Sequence, residues 1–146
     1  MKQIYFMAGV LLLGLLTGCS GNDSQYSGKI IKQIETVTQQ QKTEVTAGEI
    51  FDFSWDEAYI FKPYTTKETV QECLGQKVSR YRQSVSDSDI LIYFKNQGEI
   101  VYCMNGSSDT WGVCMDYNFQ GEYFLLTKSN NISVEFMDDI LKLYLE

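Results

Sequence analysis

Two apolar runs, Ile90-Leu91-Ile92-Tyr93-Phe94 and Ile100-Val101-Tyr102-Cys103-Met104, are separated by the polar stretch Lys95-Asn96-Gln97-Gly98-Glu99. β-Branched and aromatic residues on either side of a short turn containing glycine predict a β-hairpin, and that hairpin constrains the fold more than any other segment. Two paired strands with this much apolar surface must join a larger sheet and be covered. Asn105-Gly106 predicts a second turn, and Gly112 to Asp116 is a candidate partner strand. Glu122-Tyr123-Phe124-Leu125-Leu126-Thr127-Lys128 predicts a further strand before a turn at Asn130-Asn131. Val134 and Phe136 alternate with polar neighbours. Ile140 to Leu145 fits either a last strand or a short helix capped by Asp138 or Asp139.

The cover is expected from the preceding segment. Thr46-x-x-Glu49 has the form of a capping box and predicts a short helix running into Ile50, Phe51 and Phe53. Thr65-x-x-Glu68 predicts a second, whose Val70, Cys73 and Leu74 share one face and which Gly75 ends. Between them Ala58 to Phe61 reads as a strand, closed by Pro63, which has no amide hydrogen for a ladder. Helices early and antiparallel strands late predict an α+β fold, with short N-terminal helices packed on an antiparallel sheet in one small domain over residues 46–146. Strands and helices do not alternate, and no glycine-rich turn of the dinucleotide or P-loop kind occurs, so a parallel nucleotide-binding sheet is disfavoured.

Ahead of this domain, Ser20 to Gly28 is small and polar and reads as a tether. Ile30, Ile31, Ile34 and Val37 recur at helical spacing, but Thr38-Gln39-Gln40-Gln41 follows with no apolar face. The segment is thus a marginal helix or more stalk, and residues 19–45 are expected to form the tether. At the start of the chain, Met1-Lys2 precedes thirteen apolar or small residues from Ile4 to Leu16, and Leu16-Thr17-Gly18-Cys19 follows directly. A helix of that length covers about 20 Å, short of the roughly 30 Å of hydrocarbon in a bilayer, so export and cleavage fit better than a permanent span.

Leu16-Thr17-Gly18-Cys19 resembles the lipobox of bacterial lipoproteins. The resemblance implies that residues 1–18 are a signal peptide and that Cys19, modified by a thioether-linked diacylglycerol, becomes the first residue of a protein held on the outer face of a membrane. Two or three acyl chains suffice for stable anchoring, since each buried CH2 contributes about 0.8 kcal/mol. Ser20, rather than aspartate, follows Cys19, which permits an outer-membrane location in a Gram-negative host.

The formal charge of −7 becomes one unit more negative once Lys2 is cleaved away. No basic stripe is present, and only Arg80 and Arg82 stand close together, so nucleic acid is a poor partner. The same net charge predicts repulsion from anionic headgroups, leaving attachment to the acyl chains.

The chain has no histidine. This removes the usual base for a serine or cysteine nucleophile and the commonest zinc ligand. Cys73, Cys103 and Cys114 have neither CxxC nor zinc-site spacing, so no metal or cofactor is expected. Cys103 and Cys114 flank the turn-rich Asn105-Gly106-Ser107-Ser108-Asp109 and are candidates for a disulfide; all three cysteines acting as small buried hydrophobes is the alternative. Asp87-Ser88-Asp89 begins like a calcium loop but continues with Leu91 where an oxygen ligand is required. Asp52, Asp56 and Glu57 are the carboxylates a wall-glycan hydrolase would draw on.

Aromatic residues crowd 51–64, at Phe51, Phe53, Trp55, Tyr59, Phe61 and Tyr64, too many for one strand face. With Trp111 further on, they suggest a binding surface of Trp55, Tyr59, Tyr64 and Trp111, because flat aromatic faces stack on sugars and anchor protein partners. Trp55-Asp56, Tyr59, Phe61, Pro63-Tyr64-Thr65, Leu74-Gly75 and Gly121-Glu122-Tyr123 together resemble a group of small uncharacterised lipoproteins of Gram-positive bacteria, over about residues 46–128. That resemblance implies a compact domain on the cell exterior and no particular activity. The expectation is a lipid-anchored extracytoplasmic protein that binds an envelope protein or wall glycan, catalysis being the alternative.

Overall fold

The unbroken apolar run from Ile90 to Phe94 is explained by burial on both faces. In the computed structural model, which describes residues 23–145, the hairpin strands are β3 (Asp89–Asn96) and β4 (Glu99–Ser107). In chain order the other elements are α1 (Asp23–Gln39), β1 (Glu44–Thr46), α2 (Ala47–Ile50), β2 (Glu57–Phe61), α3 (Lys67–Leu74), α4 (Ser108–Trp111), β5 (Val113–Asp116), β6 (Tyr123–Leu126), β7 (Asn131–Met137) and β8 (Ile140–Tyr144). They build two four-stranded sheets, one in the order β4-β3-β2-β6 and one in the order β1-β7-β8-β5. The fold is α+β.

Side chains on a strand alternate between faces, so β3 serves two cores. Ile90, Ile92 and Phe94 point into the larger one, which the second sheet closes with Ile132, Val134, Leu141 and Leu143. Leu91 and Tyr93 point the other way, onto Val70 and Leu74 of α3 and onto Val78. The molecule is therefore layered as sheet, central sheet, then α3 with the segment that follows it.

Residues 19–45 were expected to be a tether with a possible marginal helix, and over Asp23–Gln39 the structure replaces the tether with a packed helix. α1 runs for 17 residues and buries Ile30, Ile34 and Val37 in the larger core. Tyr26, one turn earlier, packs its ring 4.7 Å from that of Phe53 and 5.3 Å from that of Tyr102. An isolated helix of this composition is marginal, but the apolar stripe at 26, 30, 34 and 37 gains its stability from tertiary contact. Ile31, off that stripe, is exposed.

The turns follow local chemistry. Gln97 and Gly98 both adopt positive φ, 52° and 82°, as a two-residue loop matched to strand twist demands. Between Phe94 and Lys95 the register shifts, leaving Val101 of β4 without a partner on β3. Asp138 and Asp139, weighed above as helix caps, instead make the tight turn of the β7–β8 hairpin at φ 49° and 64°. Aspartate tolerates that region, so 140–144 is a strand. β8 pairs in parallel with β5, a departure from the antiparallel pattern expected.

Glu49 accepts from the Thr46 amide at 2.7 Å, the half of the capping box made by its carboxylate, and also from the Thr46 hydroxyl at 3.1 Å. At α3 the expected cap is off by one residue. Thr66, not Thr65, accepts from the Thr69 amide at 3.2 Å, while the Thr65 hydroxyl donates backward to the Lys62 carbonyl at 2.7 Å. Gly75 ends α3 at φ 66°, and its amide bonds back to the Gln71 and Glu72 carbonyls.

Candidate functional site

The sequence nominated Trp55, Tyr59, Tyr64 and Trp111 as a surface, and the structure does not bring them together as one. Trp55 is 3% exposed and Trp111 7%. Each indole N–H is satisfied inside the protein, Trp55 donating to the Phe51 carbonyl at 2.7 Å and Trp111 to the Asn105 carbonyl at 3.1 Å. Tyr59 is half-buried on the α3 side, its hydroxyl donating to Glu57 at 3.2 Å, and only Tyr64, at 52% exposure, stands in solvent. The physical reason is the one that builds the larger core: Phe51, Trp55 and Phe94 pack edge to face, with ring centroids 5.0–6.3 Å apart. Trp55, Tyr59, Tyr64 and Trp111 therefore do not form a binding surface.

The Cys103–Cys114 disulfide is also corrected. Cys103 lies on β4 of the central sheet and Cys114 on β5 of the other, and both are free thiols, as is Cys73. Burial pushes all three thiols above their ordinary range, which holds them protonated and poorly nucleophilic. Cys19 lies outside the described residues. The nominated carboxylates have structural partners in two cases: Asp56 accepts from the Gln97 amide at 2.8 Å, fixing the hairpin turn, and Glu57 accepts from Tyr59. Asp52 is exposed at the rim of a shallow hollow that also contains Glu49 and Lys42. Among the described residues no three His, Cys, Asp or Glu side chains converge as a metal site would require.

A smaller but more enclosed concavity lies elsewhere, between Gln76–Arg80 and the first five residues of the edge strand β4, Glu99–Cys103. It encloses about 200 Å³. Gly75 turns the chain out of α3, and the Gln76 side chain donates to the Gly98 carbonyl at 3.2 Å, which fixes one end of the cleft. Val78 is buried beside it, its amide held by the Gln71 side chain at 3.1 Å. The Tyr93 hydroxyl donates to the Arg80 carbonyl, pinning the middle of the segment to the sheet. Tyr81 donates to the Thr65 carbonyl at 2.7 Å. Behind this wall Lys95, itself buried, donates to the last carbonyl of α3, Leu74, at 2.7 Å, with its ammonium 5.0 Å from the centre of the Tyr59 ring. A cation suits that helix end and that ring face.

The rim is charged. Lys77, Arg80 and Glu99 are exposed on it, and Arg80 pairs with Asp23, the first residue of α1. The floor holds Tyr93, Tyr102 and Cys103. Burial raises the Tyr102 hydroxyl to about 12 and the Tyr93 hydroxyl further, so these groups act near neutral pH as hydrogen-bonding phenols. Arg82 is exposed two residues beyond Arg80. Among the described residues, no backbone or side-chain acceptor takes the amide hydrogens of Ser79 to Ser84. An irregular segment with unclaimed amides and three cations within six residues is suited chemically to an anion. The sequence signal for it was present in Lys77, Arg80 and Arg82 but carried no periodicity that would place it beside β4.

Comparison of the chain with protein-family models, with curated proteins and with solved structures finds no match to any of them.

Proposed function

We propose that this is a lipoprotein of the bacterial cell envelope, anchored through Cys19 on the outer face of a membrane, and that it acts by binding at the cleft between Gln76–Arg80 and β4. The observation that carries the anchoring is the succession of Lys2, the apolar run Ile4–Leu16 and Leu16-Thr17-Gly18-Cys19. The cleft supports binding rather than chemistry. Its thiol is held protonated and its phenols are far from ionising, and no histidine exists in the chain to move a proton. Its exposed cations and unclaimed amides favour a ligand with anionic oxygens over an apolar one.

The anchoring is tested by Cys19→Ser in cells of the native host, followed by fractionation. Release of the variant into the medium or periplasm is the expected result, and continued membrane retention would sink the proposal. Binding at the cleft is tested by crosslinking the full-length protein in those cells and comparing wild type with Lys77→Glu/Arg80→Glu. Loss of the recovered envelope component in the variant supports the cleft as the site.

A further inference from the structure

If Cys19 carries the anchor, as proposed above, the cleft sits at the membrane. The sequence reading allowed a long tether, but α1 starts at Asp23 and packs on the core from Tyr26, so only residues 20–22 lie between Cys19 and the helix. Four residue steps, fully extended, span at most about 14 Å. Asp23 is itself a cleft residue and holds Arg80. The cleft is thereby confined close to the headgroup layer, which is about 5–8 Å thick. We infer that the segment Lys77–Arg82 docks on that layer, and that the cleft's anionic ligand is the phosphodiester of phospholipids in the same membrane that holds Cys19.

Net negative charge does not oppose this arrangement. At physiological salt the Debye length is about 8 Å, so a bilayer interacts with the charges facing it and hardly with those on the far sheet. On the rim Lys77 and Arg80 stand against Asp23 and Glu99, and Arg82, exposed two residues beyond Arg80, adds a third cation to the same segment. Asp23 engages one arm of the Arg80 guanidinium, whose other N–H donors are left to a phosphate. The amides of Ser79 and Arg80, which line the cleft and are unclaimed among the described residues, are uncharged donors available to the same oxygens. Tethering makes the contact intramolecular, so a weak affinity is enough to keep it occupied.

The test uses the full-length, lipidated protein in vesicles of phosphatidylcholine alone or mixed with phosphatidylglycerol, read by amide hydrogen exchange. Flotation with the vesicles reports the anchor independently. The expected result is that exchange over residues 79–84 slows by about tenfold or more with phosphatidylglycerol at low salt, relative to detergent. That protection should vanish in Lys77→Glu/Arg80→Glu/Arg82→Glu, three exposed positions, although the variant still floats. Exchange in both vesicles as fast as in detergent, or protection that survives the triple substitution, overturns the docking and leaves the anchor standing. Protection of the same amides by soluble glycerol phosphate but not by vesicles would assign the cleft to a wall polymer and likewise overturn it. Failure of the wild type to float overturns the anchor, and the docking with it.

Discussion

The central sheet has two faces built from the same strands, and they differ in kind. Toward the second sheet, β3 presents Ile90, Ile92 and Phe94 to a core of aromatic and aliphatic side chains. Toward α3 it presents Leu91, Tyr93 and Lys95, and there the packing is interleaved with directed polar contacts: Lys95 on the end of α3, Tyr93 on Arg80, Tyr81 on Thr65. The first face is a closed interior. The second holds an irregular segment in place and opens into the cleft. Apolar burial is non-directional and supplies stability, whereas hydrogen bonds fix the position of a chain that has no ladder of its own. The candidate site lies where position matters more than area.

The sharpest break in this contrast comes from Phe94→Ala. Phe94 is fully buried among Phe51, Phe53 and Trp55, so truncation should cost about 3–5 kcal/mol through lost transfer energy and a cavity. Urea unfolding measures it, and a loss below 1 kcal/mol would show the larger core to be loosely packed.

Lys95→Met, on the opposite face, keeps the apolar stem and leaves the Leu74 carbonyl without its donor. Relief of the buried charge offsets part of that loss, and a net cost of about 1–2 kcal/mol is expected by the same unfolding experiment. A stabilised variant would mean that the ammonium is tolerated there rather than useful.

Tyr93→Phe removes only the hydroxyl that holds the Arg80 carbonyl, and should cost about 1 kcal/mol globally. Its local effect should be the more telling one. Proteolysis within residues 76–84 is expected to quicken in the variant while the rest of the fold resists; unchanged cleavage there would refute the pinning role.

The smallest effect lies outside both faces, at α2. The Lys42 ammonium, followed by the amide and hydroxyl of Thr46, lowers Glu49 from 4.5 to about 2. A depressed carboxyl contributes stability that is full above the unfolded value and is lost as pH falls through the folded one. Glu49→Gln should therefore destabilise by a few tenths of a kcal/mol at pH 7, the pair being exposed and screened, and the difference should fade between pH 4.5 and 2. A difference independent of pH would remove the carboxylate from its cause.

Much of the strand content was legible because its signals are local. Asn96-Gln97-Gly98 between two β-branched runs specifies a hairpin whatever surrounds it, and Gly75 after Leu74 specifies a helix end. The readings that failed needed a partner to decide them. Residues 26–37 have a helical stripe of the right spacing but looked too weak to fold, because the ring of Phe53 and the floor of the larger core lie far away in sequence. The tryptophans looked like a surface for the converse reason: aromatic density does not reveal which rings will find one another. Asp138-Asp139 was equally consistent with a cap and a turn until β7 supplied a strand to pair with.

From the amino-acid order alone came the α+β class, the hairpin, the end of α3 at Gly75 and the lack of histidine. Those properties depend on neighbours within a few residues or on composition. Only the tertiary structure decided that the central sheet is buried on both faces, that α1 belongs to the core and that the nominated tryptophans are interior. It also decided that Lys77, Arg80 and Asp23 meet across a cleft at the edge of β4. Each of these depends on contacts between segments distant in the chain, where the free energy of burial is shared between partners and neither partner's sequence contains it.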